Sequence, residues 1–412
     1  MKVYVYHTAC QRRAMDSYKF KKYFLLNNHK IVNSPDKADL IIYVACAVLN
    51  KETEHALEQV KKFQKYDAEL IVGGCLPGID KDKLEEVFDG KYLSTKDIEK
   101  IDEFFPENKI KFSEIDDVNC LYENVNSSNI RDNLRIVKKK IKFLDKIYFT
   151  YKISIIKAIY GEHSIPHRAF EKYHYIRISW GCMNRCAYCG IRKAIGPMYS
   201  KPLDECIREF KKGFELGHKN FFISADDIGS YGMDINSSFP ELLNKFLETR
   251  GDYTITIQNL DPRYVVRYID ELEEITRTKK IVNMGIAVQS GSSRILKLMN
   301  RYPKVDEIID CLLRLKKANP KLVIPTAFII GFPTETYQDF QKTLDFINKV
   351  KFRSGFMFRF SLKPGTIAEN IEPKVPKKEA IKRFDESEGF MRDYNYKIKK
   401  ISKQASYIFF KK

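Results

Sequence analysis

The chain has 412 residues, 44% of them hydrophobic, enough for two or three domains whose cores need no disulfide support. Its 72 Lys and Arg against 54 Asp and Glu give a formal charge of +18. That charge admits a polyanionic partner such as a nucleic acid, although Lys abundant together with Ile, Asn and Tyr also fits an AT-rich coding bias. MKVYVYHT opens the chain as an alternating strand rather than a signal peptide, and the longest apolar run, LIIYVACAVL (40–49), is far too short to span a bilayer. We therefore expect a cytoplasmic protein with no membrane partner. Its nine cysteines are then reduced ligands or core residues, not a disulfide framework.

Strands and helices alternate from the start. KVYVYHT (2–8), DLIIYVA (39–45) and ELIVGG (69–74) read as strands; MDSYKFKKYFLLNN (15–28), KETEHALEQVKKF (51–63) and DKLEEVF (82–88) read as helices. The alternation predicts an amino-terminal open parallel sheet with helices on its faces, over residues 1–95. Cys10, Cys46 and Cys75 follow the three strands in turn. Ligands of open α/β sheets gather beyond the carboxyl ends of the strands, so three cysteines placed there can converge on one metal site. Any one of them alone would read as a small buried hydrophobe.

Residues 96–173 are less regular and read as a linker with amphipathic helices. RDNLRIVKKKIKFLDK (131–146) sets Leu134, Val137, Ile141 and Leu144 on one stripe, the pattern of a helix laid on a domain surface. Its lysines also allow contact with a substrate.

A second α/β series occupies residues 174–372. Strands are expected at YIRIS (175–179), KNFFIS (219–224), YTITIQ (253–258), IVNMGIAV (281–288), LVIPTAFII (322–330) and SGFMFRF (354–360), with helices between them, one opened at Pro202. Six such units predict a partial (β/α)6 barrel, whose active site lies in the loops after the strands. The unusual sequence falls in those loops: WGCMNRCAYCG (180–190), ADDIGSYG, QSGSS, GFPTET and KPGT. Residues 373–412 read as a Lys-rich helical tail, with the helix over 376–404.

Cys182, Cys186 and Cys189 form a C-x-x-x-C-x-x-C loop with no partner pair nearby, whereas a structural zinc site closes with four ligands. Thiolates at such spacings hold iron–sulfur clusters. Three ligands leave one iron open to a chelating molecule. Cys120, Cys206 and Cys311 have no paired context and are expected to be packing residues.

The cysteine loop after the first barrel strand, with Tyr188 before its last cysteine, resembles that of the radical S-adenosylmethionine superfamily. The resemblance extends to the methylthiotransferase family through CQRRAMDS (10–17), CAVLNKETE (46–54), GGCLP (73–77), ADDIGSYGMDI (225–235), VQSGSSRILKLMNR (288–301), IIGFPTETYQDF (329–340) and FSLKPGT (360–366). CAVLNKETE and GCLP are closest in style to the archaeal and eukaryotic tRNA-modifying branch. The resemblance implies two 4Fe-4S clusters. One would be held by Cys182, Cys186 and Cys189 and would bind S-adenosyl-L-methionine. The auxiliary one would be held by Cys10, Cys46 and Cys75 and would carry the sulfur to be donated. It implies a two-stage reaction: one S-adenosylmethionine methylates the sulfur, and a second yields the radical that opens an unactivated C–H bond for the methylthio group. An electron donor such as flavodoxin or ferredoxin is implied too.

Further contacts to the cofactor are expected by the same resemblance. Tyr188 would lie by the adenine, and Gln289, Ser290 and Ser292 by the ribose or methionine part. Asp227 fits a similar polar role, Arg301 would meet a carboxylate, and Ile329, Gly331 and Glu335 match an adenine-contacting pattern. The alternative for each is a cap or turn residue, Ser292 or Ser293 as a helix cap above all. The chain departs from the family at Ala327 and Ser293, where Asp is usual, and at Arg13, where Asn is common. The family's carboxy-terminal TRAM β-barrel is also expected to be missing, since too few residues follow KPGT for five more strands. That expectation favours a peptide or protein substrate. The alternative, favoured by charge and motif style, is tRNA carrying a hypermodified adenosine near the anticodon. The oligomeric state is not legible.

Overall fold

The computed structural model describes residues 1–121, 173–402 and 405–411. The amphipathic segment expected at 131–146 lies outside them.

The first sheet is fully parallel. It contains β1 (Lys2–His7), β2 (Lys30–Ile31), β3 (Leu40–Ala45) and β4 (Glu69–Gly74) in the order β2-β1-β3-β4. Alternate residues of the strands feed two cores, as the pleat requires. Val3, Val5, Leu40, Ile42 and Ile71 pack with Phe20, Tyr23 and Phe24 of the Gln11–Leu26 helix. Ile41, Tyr43, Leu70 and Val72 pack on the other face with Ala56, Val60 and Phe63 of the Asn50–Phe63 helix. The first core also contains Ile101, Phe105, Phe112 and Ile115. The start of the segment read as a linker is thus integral to this domain.

The barrel begins at β5 (His174–Arg177). A short antiparallel pair, β6 (Ser179–Trp180) and β7 (Tyr199–Ser200), encloses the cysteine loop. β8 (Asn220–Ser224), β9 (Thr254–Leu260) and β10 (Ile281–Ile286) add in order to β5, all parallel. β11 (Thr326–Ile330) joins β10 through Met284 N–H to Val323 O (2.9 Å) and Gln289 N–H to Ala327 O (2.8 Å), and β12 (Ser354–Arg359) lies parallel to β11. Six parallel strands therefore form an open arc, as the sequence predicts. Helices between them bury one continuous apolar core that includes Phe210, Phe246, Leu312 and Ile347.

The tail differs from expectation. A helix runs only over Lys377–Asp393; Asn395 then takes a left-handed φ of 68°. β13 (Tyr396–Ser402) and β14 (Ser406–Lys411) follow as a hairpin, with β14 antiparallel to β12. YKIKKIS and SYIFFK bury Tyr396, Tyr407 and Phe409 against the barrel core, and that strand-like alternation overrides the helix-forming lysines. The helical reading of 376–404 is corrected accordingly.

The two domains share a buried interface. Ala14 and Met15 of the Gln11–Leu26 helix pack on Tyr175 of β5 and Phe222 of β8. Beside them runs a chain of ion pairs: Arg12 to Asp226 (2.7 Å), Arg13 to Asp226 (3.2 Å) and Asp16 (3.1 Å), and Arg177 to Asp16 (2.8 Å). Arg13, one of the departures from the family pattern, is thus an interdomain link. No helix of the described residues is long and apolar enough to cross a membrane.

Candidate active site

The parallel registers bring the first three cysteines to one sheet edge. Ala45 pairs with Gly74 at the ends of β3 and β4, so Cys46 and Cys75 leave neighbouring strands side by side. Cys10 follows β1 on the other side of β3 and precedes the Gln11–Leu26 helix. Gly74 has φ +92°, and a Cβ there would meet Ala45 O at 2.6 Å; only glycine lets the strands pinch at this point. All three thiols are free of disulfides. Burial first, then the neighbouring Cys10, raises Cys46 to about 12, and burial raises Cys75 as well. Arg12 and Arg13, both ion-paired to Asp226, stand close enough to act electrostatically on Cys10 and Cys75.

The second trio sits in a rigid turn. Gly181, at φ +73°, approaches Pro197 so closely that a Cβ would fall 1.9 Å from its carbonyl oxygen. Cys189 N–H bonds Cys186 O (3.0 Å), Ala187 N–H bonds Met299 O (2.9 Å) and Ala368 N–H bonds Ala187 O (2.8 Å). Asn184 donates to Asp227 Oδ2 at 2.8 Å, and Cys182 Sγ lies 3.7 Å from the same oxygen. Arg301 places NH1 3.7 Å from Cys186 Sγ and 2.5 Å from Asp261 Oδ2. Burial raises Cys189 to about 11 and Asp227 to about 6. Cys182, raised likewise by burial, and Cys189 are therefore protonated when free, and binding a cluster must release those protons.

The two loops are neighbours. The Leu76–Ile79 helix, immediately after Cys75, packs backbone to backbone on the Ile191–Ile195 helix that follows Cys189. A Cβ on Gly78 would lie 2.4 Å from Ala194 Cα. Cys75, Leu76, Ile79, Ala194 and Ile195 belong to one apolar cluster, and Cys182 packs against it. Lys363, of the KPGT loop after β12, reaches into the first domain. Its Nζ lies 3.0 Å from Asp80 Oδ2 and 3.0 Å from Thr53 Oγ1, with 2% of the side chain exposed.

The other expected contact residues divide into two groups. Tyr188 and Ile329 pack with Phe332 and Phe360 against a cluster next to the cysteine loop, and Asp227 and Arg301 face the cysteines themselves. Gln289 is half-buried between β10 and β11 at φ 80°. Ser290, Ser292, Gly331 and Glu335 all make contacts within the protein. Ser292 caps the Ser293–Leu298 helix and donates to Asp339 at 2.6 Å, and Ser290 Oγ contacts Thr343 Oγ1 and the Ser292 N–H; both serines are wholly buried. Glu335 accepts from Gly331 N–H (2.8 Å) and Arg383 (3.1 Å), and Gly331 faces Ala380 of the last helix. In the structure they serve as a cap and as a clamp on that helix. Asp261 was missed. It follows β9, the strand whose loop carries no conspicuous motif, and its only sequence signal is an Asp before Pro262 as a helix cap.

Both trios fit iron–sulfur clusters: each offers three free thiols, and buried arginines lie beside both to balance anionic charge. The comparisons with known proteins agree. A model described as the radical SAM superfamily matches residues 176–347, and one described as uncharacterized protein family UPF0004 matches residues 2–93. A probable threonylcarbamoyladenosine tRNA methylthiotransferase of Pyrococcus horikoshii is 26% identical over 89% of this chain and 79% of its own. The tRNA methylthiotransferase MtaB of Thermotoga maritima is 35% identical over 55% of this chain and 52% of its own. The ribosomal protein uS12 methylthiotransferase RimO of Carboxydothermus hydrogenoformans is 28% identical over 93% and 81%. Among solved structures, the radical S-adenosylmethionine methyltransferase TsrM of Kitasatospora setae has a TM-score of 0.60 at 10% identity, covering 89% of this chain and 74% of that one, a likeness of fold. Its two domains, the cysteine-bearing loops and these relatives together place the chain in the radical S-adenosylmethionine methylthiotransferase family.

Proposed function

We propose that the protein transfers a methylthio group to an unactivated carbon of threonylcarbamoyladenosine in tRNA, with Cys182, Cys186 and Cys189 holding one 4Fe-4S cluster and Cys10, Cys46 and Cys75 a second. The observation that carries the reaction is the backbone contact at Gly78 and Ala194, which sets the two cysteine loops side by side. When bound, the clusters and S-adenosylmethionine supply the electron, the radical, the methyl group and the sulfur.

The chain's residues supply placement and charge. Arg301 pairs with Asp261 and faces Cys186, and its buried Nε, without a hydrogen-bond partner among the described residues, is the donor left for a carboxylate of the cofactor. Tyr188 and Ile329, with Phe332 and Phe360, form an apolar wall for the adenine. Asp227 and Asn184 fix the turn at Cys182. Arg12 and Arg13 balance the thiolates of the other trio. Lys363 and Asp80 hold the loops in register across the domains.

The substrate rests on the relatives. Those from Pyrococcus horikoshii and Thermotoga maritima are named for threonylcarbamoyladenosine tRNA, and the formal charge of +18 suits an RNA. The uS12-modifying relatives make a protein substrate, towards which the sequence reading leans, the second reading. A flavodoxin- or ferredoxin-type reductant is part of the proposal. Anaerobic reconstitution should give about eight irons per chain, falling to about four when Cys182, Cys186 and Cys189 are replaced by Ala. The reconstituted enzyme, given methyl-labelled S-adenosylmethionine, total tRNA and ribosomal protein, should label tRNA nucleosides. Label in the protein fraction alone selects the second reading, and four irons in the wild type reject the two-cluster site.

A further inference from the structure

We propose that Cys120, His174 and His218 form a zinc site at the foot of the barrel, away from the cysteine loops. His174 opens β5 and His218 lies two residues before β8, so both stand at the amino-terminal ends of their strands, whereas the cysteine loops follow the carboxyl ends. Cys120, expected from the sequence to be a packing residue, acquires here the context it lacked.

The geometry is that of a ligand set. One ligand atom from each residue lies within 4.8 Å of the other two. Cys120 Sγ is 3.8 Å from His218 Nε2, and the two imidazole rings are 4.9 Å apart, centroid to centroid, tilted by 39°. In a tetrahedral zinc centre with ordinary bond lengths the sulfur and nitrogen ligands stand about 3.6 Å apart. A small closure of the side chains therefore suffices. Thiolate with imidazole is a donor pair that zinc takes readily.

His174 is held in the manner of a ligand. Its Nε2 lies 3.2 Å from the Glu209 carbonyl oxygen, while its buried Nδ1 has no hydrogen-bond partner among the described residues. A carbonyl only accepts, so Nε2 carries the proton and Nδ1 the lone pair. Metal-binding imidazoles are commonly oriented by just such a bond to a backbone carbonyl. Gly213 makes the room: a Cβ there would lie 2.5 Å from His174 Cδ2.

The position gives the metal a task. Cys120 and His174 flank residues 121–173, whose two ends meet through Tyr175 N–H to Asn119 O (2.7 Å) and Asn119 Nδ2 to Tyr175 O (2.7 Å). A zinc ion there ties Cys120 and the start of β5 to the loop before β8. Cross-links between residues far apart in sequence remove the most chain entropy. Among the described residues the ligand set consists of these three side chains.

The test uses holoenzyme reconstituted with iron and sulfide, free of any histidine tag and equilibrated with buffered zinc. Elemental analysis should find about one zinc per chain beside unchanged iron, and zinc-edge absorption a shell of one sulfur with nitrogen and oxygen. His218→Asn, on a half-buried loop, and Cys120→Ser should each lower zinc occupancy about tenfold or more with iron unchanged. Cobalt added to the wild type should show a thiolate charge-transfer band that Cys120→Ser abolishes. Zinc at background in the wild type overturns the proposal. So does an all-sulfur shell, or zinc retained in both variants, since either puts the metal on the cluster cysteines.

Discussion

Replacing Lys363 by Met tests whether one buried charge pair holds the two cysteine loops together. The ammonium stands 3.0 Å from Asp80 Oδ2, with side chains 2% and 0% exposed. Unit charges at that separation attract by about 5–6 kcal/mol at an effective dielectric of about 20, which offsets the desolvation of both. Met keeps the aliphatic bulk but leaves the carboxylate only the Thr53 hydroxyl at 2.5 Å; its other oxygen has no hydrogen-bond partner among the described residues. A buried carboxylate stripped of its cation should destabilise the protein by about 3–5 kcal/mol. Adding Asp80→Asn removes the orphaned charge, so the double variant should recover most of the loss. Guanidinium unfolding of all four proteins under anaerobic conditions gives the cycle. Amide exchange in the Leu76–Ile79 and Ile191–Ile195 helices reports the junction itself, which matters because two domains need not unfold as one unit. A loss below about 1 kcal/mol for Lys363→Met, or a double variant no more stable than the single, refutes the lock.

Gly78→Ala should separate the two loops, because the new methyl meets the Ala194 backbone rather than a movable side chain. We expect about 1–3 kcal/mol of destabilisation and a larger loss of methylthio transfer than of total iron, measured on one reconstituted sample. Ser292→Ala should cost about 1–2 kcal/mol through the lost cap and the Asp339 bond, with S-adenosylmethionine affinity unchanged in equilibrium dialysis; a tenfold loss of affinity would restore the cofactor role. Asp261→Asn leaves Arg301 buried without its carboxylate, so cofactor affinity should fall while Arg301→Lys, which keeps the charge but not the fork, falls less than Arg301→Met. In chelator-treated protein, His174 binds its proton less readily folded than unfolded, so its contribution is full above about pH 6.5 and disappears as pH falls towards about 4. The melting temperature of the wild type should therefore fall relative to that of His174→Phe as pH drops through that window, with a constant difference above it.

The parallel sheet, the barrel and both cysteine trios were legible because each is written locally. Buried strands read as apolar runs such as LIIYVA, and glycines and cysteines mark the strand ends. What could not be read depends on which distant residues meet. Nothing in the sequence around Ser292 announces that Asp339 of a later helix meets it. Glu335 meets Arg383, and Arg13 meets Asp226, in the same way. Asp261 gave no signal beyond a cap, yet it orients the arginine beside Cys186. In the tail, lysines favour a helix residue by residue, but Tyr396, Tyr407 and Phe409 find a core only as strands.

The hairpin that ends the described chain leaves β13 as the outermost strand of its sheet among the described residues. Such a strand invites a second molecule to add on and propagate the sheet. Lys397, Lys399 and Lys400 stand exposed along it, and bringing two copies edge to edge would crowd those like charges. The lysines of the segment that reads from sequence as a Lys-rich helical tail thus serve as a guard against self-association. Neutralising them should leave the fold intact while making the protein aggregate from solution as salt screens the remaining charge.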